Sequence, residues 1–134
     1  MPAPPEFQTG QAAAIPDAIA PDGSEVRLLC AGPRASMALF TLPLGAVARA
    51  VVHRTVEELW YVVAGTGRIW RRQGQGREEI VALQPGGSIS LPTGTSFQFR
   101  CDGAEPLVVV GATMPPWPGA EEAVPVPGIW EPTG

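Results

Sequence analysis

The sequence predicts an all-β domain, a small sandwich or closed barrel of short antiparallel strands, and three observations predict it. Proline and glycine, 16 of each, fall between short runs rich in Val, Ile, Leu, Phe and Trp, so they punctuate strands rather than mark disorder. No segment carries a convincing helical period. At 134 residues the chain suits one domain with a real core and is too short for two.

Strands are expected, in order, at Ser24–Cys30, Ala35–Leu42, Val47–His53, Glu58–Ala64, Gly67–Gln73, Arg77–Leu83, Ser88–Leu91, Ser96–Cys101 and Leu107–Thr113. The runs Gly65-Thr66-Gly67, Gln73-Gly74-Gln75-Gly76 and Pro85-Gly86-Gly87 supply the positive φ angles that tight connections require. Closure would remove exposed strand edges, which this chain has no Lys to guard. The expected organisation is an N-terminal arm over residues 1–22, a barrel over 23–114 and an extended Pro/Trp-rich tail over 115–134. Two indoles in that tail, Trp117 and Trp130, are costly to leave in water and are expected to pack on the barrel or on a second subunit. Their functional alternative is a lid over the barrel mouth; a PxxP-type ligand fits the spacing but has no obvious receptor.

Charged residues make up 16% of the chain, against about 25% in ordinary globular proteins. With apolar tails added, so sparse a surface points to a homodimer. A formal charge of −4 lacks the basic footprint that nucleic acid or an anionic membrane requires. Residues 1–11 show neither a basic nor an apolar signal region and no stretch has the length of a membrane span, so a cytoplasmic location is expected. All nine basic residues are Arg, with no Lys and no Asn, a bias expected of a GC-rich bacterial genome. Cys30 and Cys101 form no CxxC pattern and read as two ordinary buried thiols.

Two stretches carry a family resemblance. Gly45 to Gly67 reads GAVARAVVHRTVEELWYVVAGTG and Gly86 to Cys101 reads GGSISLPTGTSFQFRC. Both resemble the two cupin motifs, and the scaffold residues Gly45, Gly65, Gly86, Pro92 and Gly94 all match. The resemblance implies an antiparallel, jelly-roll-like cupin β-barrel. In metal-bearing cupins three His and one Glu hold a divalent ion, and those positions fall here on Val51, His53, Phe97 and Glu58. Only His53 and Glu58 survive as donors, and Cys101 stands at the closing Asn position. Two ligands bind a metal weakly where about three are usual, so no cofactor is expected beyond a loosely held divalent metal on His53 and Glu58. Of the neighbours, Glu57 and Gln98 have the wrong strand parity to help without a bulge, whereas Cys101 shares the parity of Phe97.

Period-two spacing adds Trp60 and Val62 to the inward set with Phe99, and inward placement of Arg49 beside Val51 completes the list. The expected site is an apolar, aromatic pocket of Val51, Trp60, Phe97 and Phe99 with His53, Glu58 and Arg49 as polar determinants, suited to a small organic ligand. His53 and Glu58 are also the candidate catalytic acid and base, their structural alternative being a core imidazole and a buried ion pair. The cupin family spans many reactions, so three classes remain open. They are a small-molecule binder, an enzyme that is either an atypically liganded oxygenase or isomerase or a metal-free acid/base catalyst, and a subunit whose barrel is filled by its own side chains.

Overall fold

The computed structural model describes residues 5–134; the first four residues of the expected N-terminal arm lie outside the described residues. Eleven strands follow in order: β1 Ala18–Ile19, β2 Glu25–Ala31, β3 Ser36–Leu42, β4 Val51–His53, β5 Glu57–Ala64, β6 Gly67–Gln73, β7 Glu78–Leu83, β8 Ser88–Leu91, β9 Thr95–Cys101, β10 Leu107–Met114 and β11 Ala123–Pro125. A single 3-10 turn, Ala120–Glu122, is the only helical segment among them, and no helix is long and apolar enough to cross a membrane. β1 and β11 were not legible as strands because each is two or three residues long.

The strands form two antiparallel sheets, β1-β2-β3-β10-β5-β8 and β11-β4-β9-β6-β7, in a jelly-roll-like arrangement. The sheets do not close on each other into a barrel. β8 ends one sheet and β7 ends the other, so a seam runs between these two edges.

Side-chain alternation places the core. On β5, Glu58, Trp60 and Val62 are buried while Glu57, Leu59, Tyr61 and Val63 are exposed, the period of two that a pleated strand imposes. The same rule turns Phe97, Phe99 and Cys101 inward from β9 and Leu107 and Val109 inward from β10. Trp60 packs edge-on against Phe97 and Phe99, with ring centroids 5.8 and 4.8 Å apart, and tilts against Phe40 at 6.1 Å. These four rings join the two sheets and occupy the interior. Gly65 (φ +80°) makes the turn between β5 and β6, where any side chain would run into the Pro106 carbonyl. Gly111 leaves room for Phe40 and for the Glu58 carboxyl, whose Oε2 would lie 3.3 Å from a Cβ placed there.

The strand expected over Val47–His53 is shorter than its sequence suggests. Val47 makes one isolated bridge to Arg100, and regular pairing begins only at Val51. In between, the chain leaves the sheet, and the Arg49 amide donates to the Asp22 carbonyl at 2.8 Å.

The C-terminal segment lies against the second sheet. Gln98 points to that sheet's outer side yet is fully buried, because its amide ties the segment down. Its Nε2 donates to the carbonyls of Ala48 and Trp130 at 2.9 and 2.8 Å, and its Oε1 accepts from the amides of Ile129 and Trp130 at 2.9 and 3.0 Å. Trp130 lies beneath the guanidinium groups of Arg68 and Arg100, 5.5 and 5.4 Å from its ring, and Asp102 bonds both arginines at 2.7 Å. Cys101 is buried and Cys30 half-buried, both free thiols.

Gln98→Leu leaves two part-buried amides and two carbonyls without this partner. It is expected to cost about 2–4 kcal/mol in chemical denaturation and to open residues 126–134 to protease cleavage. An unchanged digestion pattern would show that the segment is held by something else.

Candidate functional site

The inward rows at one end of the sandwich are polar. Val51 pairs with Phe97 and Val52 with Ser96, so the register carries His53 to the level of Thr95. In the facing sheet Thr113 pairs with both Ser36 and Glu58, and Glu58 pairs in turn with Leu91. The Ser36 and Thr113 hydroxyls share a hydrogen bond, and the Trp117 amide donates to Ser36 Oγ at 2.9 Å.

His53 is buried between two rings, edge-on to Phe97 at 5.2 Å and to Trp117 at 5.1 Å, and its Nδ1 has no hydrogen-bond partner. Burial lowers its pKa to about 4, against a smaller upward pull from Glu122, so the imidazole is neutral at pH 7. Glu122 is covered although it sits at the periphery of the molecule. Burial raises its pKa, but hydrogen bonds from the Thr55 hydroxyl and the amides of Thr55 and Val56 outweigh this and hold the carboxylate below its usual range. Glu122 was not legible as a site neighbour because 69 positions separate it from His53 in the sequence.

Glu58 is 3% exposed, and burial lifts its pKa to about 7. The Trp60 indole N–H lies near enough to favour the carboxylate but makes no well-formed bond, leaving Nε1 buried without a partner. Asp22, also buried, adds like-charge repulsion to Glu58, and its own pKa is raised by burial despite bonds from the Ser24 amide and hydroxyl at 2.9 and 2.7 Å. Asp22 was missed because it was assigned to the N-terminal arm. Among the described residues His53 and Glu58 form neither a hydrogen bond nor an ion pair. The direct pairing of these two side chains expected from the sequence is therefore absent: His53 answers electrostatically to Glu122, and Glu58 to Asp22.

Arg49 is a second correction. It is exposed, because the chain has left the sheet at that point and period-two spacing no longer applies. Val51, Trp60, Phe97 and Phe99 do converge, but as members of one core cluster in direct contact. The residues also do not fit the family's metal. Val51 and Phe97 are cross-strand partners in that core, and the described residues hold no group of three His, Cys, Asp or Glu able to share an ion. The neighbours do not make up the deficit. Glu57 is exposed, Gln98 is engaged outside the sheet, and Cys101 lies further along β9, its thiol donating to the Glu105 carbonyl at 3.3 Å.

Open space lies at the seam, besides a wider apolar groove along the N-terminal segment lined by Phe7, Cys30, Pro33 and Met37. A cleft of about 450 Å³ is bounded by Arg71, Gln73 and Glu79 from β6 and β7, by Ser88, Ile89 and Ser90 from β8, and by Thr95. The Arg71 side chain crosses the seam, donating to the Ser90 carbonyl at 2.9 Å and pairing with Glu79 at 2.9 Å. Sequence reasoning passed over Arg71 because it lies outside both motifs and Thr95 because it occupies an unspecified position within the second; the alternation of β6 and β9 was the signal that placed them inward.

A comparison with protein families matches the cupin domain over residues 38–112, more than half the chain. Solved structures agree in fold. A Bacillus halodurans protein, BH2720, superposes with TM-score 0.64 at 21% identity, covering 70% of this chain and 72% of its own. KdgF from Halomonas sp. gives 0.60 at 18% identity, covering 74% and 85%. Oxalate decarboxylase from Bacillus subtilis gives 0.69 at 20% identity over 81% of this chain, which spans only 29% of that enzyme. No curated protein matches.

A carboxyl whose pKa rises on folding holds its proton more tightly in the native state. The stability Glu58 contributes this way is present below its unfolded value near 4.5 and is lost as pH rises through about 7. Glu58→Gln keeps the shape without the charge. It is expected to be close to neutral at pH 5 and stabilising by about 3 kcal/mol at pH 8, read as the difference between denaturation curves at the two pH values. Equal effects at both pH values would mean that Glu58 is not desolvated.

Proposed function

The chain belongs to the cupin family, and on that premise we propose that it binds a small organic molecule at the open seam between β7 and β8 rather than between the two sheets at their centre. The observation that carries this reading is the division of space: four aromatic rings fill the interior, while the seam keeps a cleft of about 450 Å³, within the size range of small-molecule sites. Polar groups on the cleft wall supply orientation. A second reading, metal-free proton transfer by Glu58, draws on its raised pKa and on its pairing with Leu91, which lies between Ser90 and the cleft residue Pro92.

The binding reading is tested with a library of small metabolites followed by amide NMR. Hits are expected to move Arg71, Ile89 and Thr95 together, and Ser88→Trp, placed on an exposed wall residue, is expected to abolish the shifts while preserving the fold. Hits that map to another face would overturn it.

The assembly we propose is a homodimer formed through the outer face of the first sheet. Met37, Leu59, Tyr61 and Val63 are exposed there and flank Leu39 and Val110, with Leu39 opposite Val110 and Val110 opposite Tyr61. Charged residues border the patch, Glu57 on β5 and, on β2, Glu25 and Arg27, whose opposite signs a two-fold copy can match. Sedimentation at about 10 µM is expected to give a dimer mass, and Leu59→Asp with Tyr61→Asp a folded monomer. A monomeric parent protein would remove the proposal.

A further inference from the structure

We propose that the seam cleft is an anion site, built for a small hydroxy- or oxo-carboxylic acid whose carboxylate meets Arg71 and whose neighbouring oxygen meets Thr95. This rests on the reading of the cleft as a binding site and adds the class of ligand.

Two buried polar atoms on the cleft wall carry the inference. Thr95 is 3% exposed, yet its Oγ1 has no hydrogen-bond partner. Arg71 spends Nη1 on the Ser90 carbonyl and Nη2 on Glu79, while its Nε–H is buried and unpaired. Leaving such groups unmet is costly, more so for a charged donor, and finding both on residues that line one cleft marks a place where a ligand supplies the missing partners.

Charge decides the sign of that ligand. Glu79 is shared by Arg71 at 2.9 Å and Arg77 at 3.0 Å, so two guanidiniums face one carboxylate and the cleft keeps an excess positive charge. That excess stands out in a chain whose formal charge is −4. The Ser90 carbonyl and Glu79 also fix the guanidinium plane, so little side-chain entropy remains to be lost when the free N–H engages a carboxylate. Thr95 refines the choice. A hydroxyl both donates and accepts, and it is best met by a hydroxyl or carbonyl oxygen adjacent to the acid group. The cleft volume of about 450 Å³ admits a compact acid.

The test titrates the intact protein with malate, gluconate, inorganic phosphate and the neutral polyol xylitol, following the Arg71 Nε–H resonance and the Thr95 amide. Malate or gluconate is expected to shift both signals and to saturate. Thr95→Val is expected to weaken that binding about tenfold with the melting temperature little changed, and Arg71→Gln to abolish it. Arg77→Gln, at the exposed rim, is expected to weaken it only a few-fold. Should Arg71→Gln fail to fold, the parent titration and Thr95→Val decide the matter alone. Saturable binding of xylitol without binding of either acid would overturn the anion proposal while leaving the cleft a binding site. Phosphate binding without carboxylate binding would overturn the carboxylic-acid class. If none of the four probes moves the two signals and the metabolite library moves none of the cleft, both readings fall.

Discussion

Trp60 meeting Phe97 and Phe99 edge-on is the contact on which the rest of the molecule depends. Trp60 comes from one sheet and the two phenylalanines from the other, at centroid separations of 5.8 and 4.8 Å, so the contact sets how the sheets face each other. It also settles where a ligand has room. Rings packed at those distances occupy the interior, and the seam cleft lies where β7 and β8 do not pair. Polar groups follow the same division, with Arg71 and Thr95 bordering the seam while Glu58 sits beside the indole and has its charged form disfavoured by burial.

The positions at which metal-bearing cupins place ligands have here been absorbed into that packing. Val51 and Phe97 lie side by side on β4 and β9, where two imidazoles would face one metal, and they now seal the interior against solvent. His53 is retained but clamped between Phe97 and Trp117 in its neutral form. The scaffold glycines and Pro92 serve the backbone and survive independently of the donors. Fold and chemistry have been uncoupled residue by residue, which is how one architecture hosts unrelated functions.

Much of this was legible in the sequence, and the failures have physical causes. Alternation on β5 located Glu58, Trp60 and Val62, and the motif spacing brought Val51 opposite Phe97, because both depend on regular pleating. Arg49 was misplaced where pleating stops, two residues after an isolated bridge and before pairing resumes. The parity of Gln98 was read properly, but a residue on the outer side of a sheet is exposed only if nothing covers it. Here the covering segment is more than thirty positions away. Asp22 and Glu122 were invisible as neighbours of Glu58 and His53 for the same reason: burial of a carboxylate by distant chain leaves no local pattern. Closure of the sheets was also expected from the need to hide edges, whereas the structure spans the open edge with a side chain, Arg71.

The segment fastened by Gln98 also bears on the order in which the protein is completed. β11 pairs with β4, Glu122 closes the Thr55–Val56 turn, and Thr133 exchanges hydrogen bonds with Val47, so the flank of the second sheet is built from residues that leave the ribosome after everything they bind. During synthesis β4 has no outer partner, and Ala48 and Gln98 have unmet amide and carbonyl groups. The nascent chain at that stage is a sheet with a raw edge, the kind of surface that chaperones recognise and that pairs with other chains. Final consolidation waits for contacts spanning most of the sequence, a topology that folds slowly.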